Sequence, residues 1–527
     1  MKKILKGALI LVLCAMFFAA CGTTEKSATT DGAKEEKVAK SDKQAAKEQK
    51  KAEKQKAKEK KKAGKSKEAK SGNYLVPINH AIAAGEFEDA YAMLSDETNK
   101  AYLGSDDVYN MDAGMVKLYA NDNNAAITHL QPVADMEKLQ EKYKGADKVV
   151  LSTFFADEYS QPYVTYDYED IYAIIFDAVA KLDSEDKAVA DGAFQDLMNI
   201  RDMLLAMEMY NEKLSAKLNE AGELDKGSTD SLPKAENLVF NNSALANYLA
   251  LIYNKYNSER EGDQKNFFYS QMEESYKQDS YAGQSMPVTA KKELDSVPAG
   301  KARLNVLALM GLMAEKQSKE IRVSAPIKFL TSKISDNENL KKANFDMSQA
   351  TGKLESLFSG RAYKVVYSEL VDRSTLNGPC TVTINGKDYP LETIENTSEI
   401  AKKCTERKQN FAARRSLVRN VIKSVPLAAA YLIADMQAAA ASNAAVKLAA
   451  GKAVDSARNK VFESLEKEYG DIRGAHYYPA QVQAAGIELA PGTYDVTITF
   501  PGQEPITKTG VEVKAGQLNL LEVECLK

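Results

Sequence analysis

The side chains of this 527-residue chain that could carry chemistry are few and scattered. His80, His129 and His476 are its only histidines, and each stands alone in sequence, so a zinc site or a histidine base is hard to assemble. No HExxH, CxxC, GxxxxGKS/T or GxSxG pattern occurs. Ser231-Leu232-Pro233-Lys234 matches SxxK, but in a polar loop without partner motifs. Carboxylate pairs are not diagnostic among 74 acidic residues. This points away from an enzyme, and no cofactor or metal ligand set is expected. What remains is an aromatic group, Tyr159, Tyr163, Tyr166, Tyr168 and Tyr172, whose rings offer rigid faces with polar tips. Exposed, Tyr163, Tyr166 and Tyr168 would form a platform for a sugar ring or a partner segment. Otherwise they fill the packing of a helix and its loop.

One cysteine has a clear chemical context. Lys2, Lys3 and Lys6 precede an apolar run over residues 8–18, and Phe18-Ala19-Ala20-Cys21 closes it with two small residues. This is the layout of a secretory signal peptide, too short in its apolar part to span a bilayer. The ending resembles the lipobox of bacterial lipoproteins, with Phe18 where Leu is usual. The resemblance implies cleavage before Cys21 and acylation of its thiol. The alternative is an ordinary signal peptide cleaved elsewhere. Two or three acyl chains, at ~0.8 kcal/mol per buried CH₂, would anchor the chain stably. Gly22, where Asp would signal inner-membrane retention, implies by the same resemblance the outer membrane and its periplasmic face.

Beyond Cys21 no apolar run approaches the ~20 residues of a membrane helix, the longest being residues 425–434. An oxidising compartment permits one disulfide among Cys380, Cys404 and Cys525, for which Cys380 with Cys404 is the preferred pair. A catalytic thiol lacks a nearby histidine.

The elements that must position these residues follow from charge and periodicity. Residues 31–70 hold 16 Lys against 8 acids, and residues 71–527 carry a net −15, which argues against nucleic acid as a partner. Residues 25–71 are nearly all Lys, Ala, Glu, Gln, Ser and Thr and cannot bury enough surface to order a core. They read as a tether, roughly 70 Å long as a helix or about 40 Å as a coil. Its lysines could also adhere to anionic headgroups or cell-wall polymer.

Residues 74 to about 290 have helical spacing with a recurring break. Gly85-Glu86-Phe87-Glu88-Asp89-Ala90 returns 36 residues later as Asn121-Asp122-Asn123-Asn124-Ala125-Ala126, with looser copies near Asp183 and Gly262. A turn residue, an acid and then a small residue is the inter-helix turn of tetratricopeptide-type repeats, whose period is about 34. Such arrays present a concave face to a peptide or helix. After Pro298 the period changes to two. The clearest element is Thr381-Val382-Thr383-Ile384, Asn385-Gly386, Lys387-Asp388-Tyr389-Pro390-Leu391, a type I′ hairpin. Further strands are expected at 304–309, 321–323, 361–371, 480–489, 494–500, 507–513 and 518–525, giving an antiparallel β-sandwich. An Ala-rich helical insertion interrupts it at about 398–469, with a break at Pro426 and a first arm whose Arg407, Arg414, Arg415 and Arg419 are expected to be solvated or to bind an acidic partner.

The order of parts resembles a family of uncharacterised bacterial lipoproteins with a tetratricopeptide-like N-terminal half and a β-rich C-terminal half. Its carriers here are Tyr166-Asp167-Tyr168-Glu169, Asn247-Tyr248-Leu249-Ala250 before Glu261-Gly262-Asp263, residues 303–309, and Asp471-Ile472-Arg473 followed by Pro479-Ala480-Gln481-Val482-Gln483. The expected organisation is an α+β multidomain chain: leader 1–20, tether 21–72, tetratricopeptide-like helical domain 73–290, and β-sandwich domain 291–527 with its helical insertion. The expected function is a non-enzymatic, lipid-anchored envelope adaptor that binds a protein partner through its helices. The alternative is a peptidoglycan- or glycan-binding module.

Overall fold

The structure is a computed structural model that describes residues 69, 71–145, 162–220, 224, 226–234, 239–373, 378–466 and 468–527. The expected leader, Cys21, the expected tether up to residue 68 and at residue 70, and Tyr159 lie outside the described residues.

Helices come first: α1 Leu75–Ala84, α2 Phe87–Ser95, α3 Glu97–Leu103, α4 Asp106–Tyr119, α5 Asn123–Ala134, α6 Met136–Lys144, α7 Asp167–Leu182, α8 Lys187–Asn219, the single turn α9 Lys226–Thr229, α10 Ala244–Glu261, α11 Lys265–Ser275 and α12 Val288–Lys292. Their starts are written in short polar side chains. Ser105 accepts from the Asp107 N–H, Asp122 from Ala125, Asp186 from Ala188 and Ser243 from Ala246, each satisfying a donor left open in a first turn. The recurring breaks are inter-helix turns. Gly85 and Asn121 stand at φ 79° and 58° and Gly262 at 76°, and α1 packs on α2, α4 on α5, α7 on α8, and α10 on α11. Close approach of α4 and α5 depends on Gly114, where an added Cβ would lie 2.5 Å from Leu130 Cγ.

The strands form three sheets: β10-β1-β7-β6, the ribbon β2-β3, and β5-β4-β8-β9. Their ranges are β1 Ala302–Leu312, β2 Glu315–Ser324, β3 Ala362–Val371, β4 Thr381–Ile384, β5 Lys387–Pro390, β6 Glu392–Glu395, β7 Pro479–Leu489, β8 Gly492–Thr499, β9 Ile506–Val513 and β10 Leu520–Cys525. The purely antiparallel expectation is corrected at one edge, where β1 runs parallel to β10, with Val306 opposite Leu521. β1 is buried on both faces. Leu304, Val306, Ala308 and Met310 share a core with Val382, Ile384, Val496 and Ile498 of the other four-stranded sheet, while Leu307 and Leu309 join the core of the helices. The expected boundary near residue 290 is therefore no gap in packing. Ile394, Tyr477, Tyr478 and Val482 belong to the same apolar core as helices α1 to α8, α10 and α11.

A second core lies beneath β2 and β3. It is closed by three short helices that the sequence reading missed, α13 Ile327–Ile334, α14 Glu338–Lys342 and α15 Ala350–Phe358, and by the long hairpin α16 Thr397–Ala440 and α17 Ala444–Leu465. The expected break at Pro426 does not occur, and α16 turns only after Ala440. Leu417, Val418 and Val421 before the proline, and Ala428, Ala429 and Leu432 after it, are buried in that one core, which holds the helix together across the missing N–H. Among the described residues α16 is the one helix long and apolar enough to cross a membrane, and most of its apolar stretch is buried in the fold.

Candidate functional site

The expected aromatic platform is not a surface. Tyr163 is 8% exposed and Tyr168 1%, and Tyr166 is half-buried. Their place is taken from inside the fold. Glu169, three residues after Tyr166, accepts the Tyr166 N–H at 2.6 Å, closing the first turn of α7. The same carboxylate accepts Tyr163 Oη at 2.6 Å, Lys316 Nζ at 3.1 Å and the Ala475 N–H at 3.1 Å. Lys316, from β2, lies 3.7 Å from the centre of the Tyr166 ring and 4.9 Å from that of Tyr163. A ligand sugar would have to displace this ammonium to stack on the ring faces it covers. Burial works against ionised Glu169, but Lys316 and the hydrogen bonds from Tyr163 and the Tyr166 N–H outweigh it and hold the carboxyl below its ordinary value. Burial also pushes the Lys316 ammonium down and the Tyr163 phenol up.

A second buried carboxylate forms no ion pair among the described residues. Glu395, at the end of β6, accepts Tyr172 Oη at 2.8 Å, Ser243 Oγ at 2.9 Å, the Leu245 N–H at 2.9 Å and Tyr281 Oη at 2.6 Å. Burial raises its pKa despite these donors. Leu245 opens α10, so the carboxylate also faces the positive end of a helix dipole.

The cysteine and arginine expectations need correction as well. Cys380, Cys404 and Cys525 are all free. Cys380 sits in the core between the two four-stranded sheets and Cys404 in the helix-side core, so the preferred pair is divided by a sheet. Burial pushes both thiols up to about 12, the range of inert structural cysteines. Arg419 is buried against Glu468, with Nη2 to Oε2 at 2.6 Å, and Arg407 reaches Glu208 at 3.1 Å, so these two arginines are structural rather than a solvated face. Of the histidines, His476 is buried on Asp112 at 2.7 Å, and His129 meets Tyr91 at 3.1 Å. Among the described residues no group of three metal-ligating side chains converges.

Beside the end of α7, the last strand carries carboxyl groups under strain of charge. On β10, burial and the carboxylates of Asp183 and Glu524 push half-buried Glu522 up to about 8, with Lys508 opposing. Burial raises Asp183 to about 6 against the pull of Lys514. Both values lie above those of the unfolded chain, so protonation favours the fold. That stabilisation is full below the unfolded carboxylate range and is lost as pH rises through about 6 and then about 8. The melting temperature is expected to fall across that window, and Glu522→Gln to flatten the slope. An unchanged slope in the variant, read by scanning fluorimetry, contradicts this assignment.

An open cleft of about 490 Å³ lies in the helical region, within the usual size range of ligand pockets. Arg201 of α8, Gln271 and Glu274 of α11, Lys277, Gln278 and Asp279 beyond it, and Val239, Asn241 and Asn242 ahead of α10 line it. Its polar groups hold one another in place. Arg201 donates to Gln271 Oε1 at 3.2 Å, Asn242 Nδ2 donates to the same oxygen at 3.1 Å, and Gln278 Oε1 accepts the Asn241 N–H at 2.8 Å. Glu274 and Lys277 pair at 2.7 Å at the exposed rim. The result is a pre-set surface of amides and charges, without an aromatic ring among the described lining residues. Such groups exchange hydrogen bonds with peptide N–H and C=O groups, whereas none of the described lining residues offers a flat aromatic face for a sugar. No local pattern marks it, because Arg201, the Asn241–Asn242 pair and the stretch from Gln271 to Gln278 come from three separated segments with no shared spacing. Comparison with family models, with curated proteins and with solved structures returns no match.

Proposed function

We propose that this protein is a non-enzymatic, lipid-anchored adaptor of the bacterial cell envelope, and that an extended segment of a protein partner occupies the cleft between Arg201, Asn241 and Gln278. The observation that carries the binding role is the amide-rich, pre-ordered cleft, with no aromatic ring among its described lining residues. The envelope assignment rests on the leader and on Cys21 as the acylated residue, with residues 25–71 as its tether. In finer architectural terms we take the helical hairpins for degenerate tetratricopeptide-type repeats. Their support is the 36-residue spacing of the Gly85 and Asn121 turns and the close packing at Gly114. The two four-stranded sheets we take for a sandwich with the helical hairpin inserted, since one apolar core serves both. The lipoprotein family named above is the relationship this reading favours.

The test is cross-linking in living cells with a C-terminally tagged chain, followed by mass spectrometry. One abundant envelope protein is expected, lost with Cys21→Ala and reduced about tenfold with Arg201→Glu combined with Gln271→Ala, a loss of about 1.4 kcal/mol. Equal recovery in the cleft variant at an unchanged melting temperature contradicts the proposal.

A further inference from the structure

The hairpin of α16 and α17 ends in a tip that the fold leaves bare. α16 has 44 residues, about 66 Å of helix, and buries no side chain beyond Ala434. α17 buries only Val454, Val461 and Leu465, so none of its first ten residues is buried. Within that stretch Val446 is 50% exposed and Leu448 66%, the highest exposure of any large apolar side chain among the described residues. Charge in the tip is one-sided. Between Met436 and Val454 the only ionisable side chains are Lys447 and Lys452, both exposed, on a body that is otherwise net acidic. The acids just below are engaged, Asp435 with Lys353 and Asp455 with Arg458.

We infer that the hairpin tip rests on an anionic lipid surface, with Val446 and Leu448 entering the interface and Lys447 and Lys452 at headgroup level. Apolar side chains beside lysines, with no carboxylate to repel the phosphates, are the pattern of a helix end that seats in such an interface. Headgroup negative charge supplies what the two lysines lack within the tip. This goes beyond the adaptor reading, because it requires neither the acyl chain nor the cleft.

The full chain carrying Ala445→Cys together with Cys14→Ser and Cys21→Ser, labelled at 445 with an environment-sensitive fluorophore, tests it, since the three cysteines that remain, Cys380, Cys404 and Cys525, are buried. The label reports the tip itself, whatever the lysine tether does. Emission is expected to shift to the blue on vesicles containing phosphatidylglycerol and not on phosphatidylcholine alone. Val446→Asp with Leu448→Asp should abolish the shift without altering the circular dichroism spectrum, both sites being exposed. Lys447→Glu with Lys452→Glu should weaken vesicle binding by the tip about tenfold. No shift on anionic vesicles, or one that survives the aspartate pair, overturns the proposal. A shift that grows with protein concentration in the absence of lipid also overturns it and assigns the tip to a second copy of the chain.

Discussion

Lys316→Met is expected to destabilise the fold by about 3–5 kcal/mol, the cost of leaving a buried carboxylate without its cation. Glu169 is fully buried, and Lys316 is its counter-charge. The remaining donors, the Tyr163 and Tyr168 hydroxyls and the N–H groups of Tyr166 and Ala475, satisfy its lone pairs but not its charge. The variant chain must then either keep an unpaired anion in the core or take up a proton. The pH dependence separates these outcomes. In the native chain Glu169 titrates below its unfolded value, so its stabilising contribution is present above the unfolded carboxylate range and fades as pH falls through the folded value. In Lys316→Met that acid dependence should weaken, and adding Glu169→Gln should restore part of the lost stability. A double-mutant cycle in urea measures the coupling, and independent, additive effects would contradict a direct pair.

Glu395→Ala should have a comparable effect, about 3–5 kcal/mol, by a different route. Here no charge pair is broken; four donors lose their common acceptor. Tyr172, Ser243, Leu245 and Tyr281 come from α7, the start of α10 and the turn after α11, and all converge on the end of β6. Each donor left unpaired in the core costs about 1–3 kcal/mol, reduced where the tyrosines can turn elsewhere. Because the donors sit in the helices and the acceptor in a sheet, the variant should open the junction between them. Faster amide exchange at the start of α10 and along β6 is the expected signature. Protection lost evenly over the whole chain would instead indicate a general loss of stability.

What was legible in the sequence was local. Asn385-Gly386 specified its hairpin because both residues adopt positive φ, and they do so at 52° and 72°. The Gly85 and Asn121 turns were legible for the same reason, and apolar runs marked every long strand except β2, of which only residues 321–323 were read. The missed features depend on partners far away in the chain. Lys316 and Glu169 are 147 residues apart, and nothing in the alternating charges of β2 singles out the one lysine that faces inward. The tyrosines were identified by their chemistry, but whether their faces meet solvent or Lys316 depends on how β2 packs. Parallel pairing of β10 with β1 leaves no local mark, since the strand reads alike in either direction. Helices α13 to α15 are short and lie between two strands that pair with each other, so neither period nor length set them apart.

The most direct measurement of the adaptor reading places a photo-reactive residue at Asn241, in the cleft, and at Glu338, exposed on α14, in full-length chains expressed in cells. Cross-linking at Asn241 to one envelope protein, absent at Glu338, is the predicted result. No adduct at Asn241, or the same adducts at both positions, would contradict it.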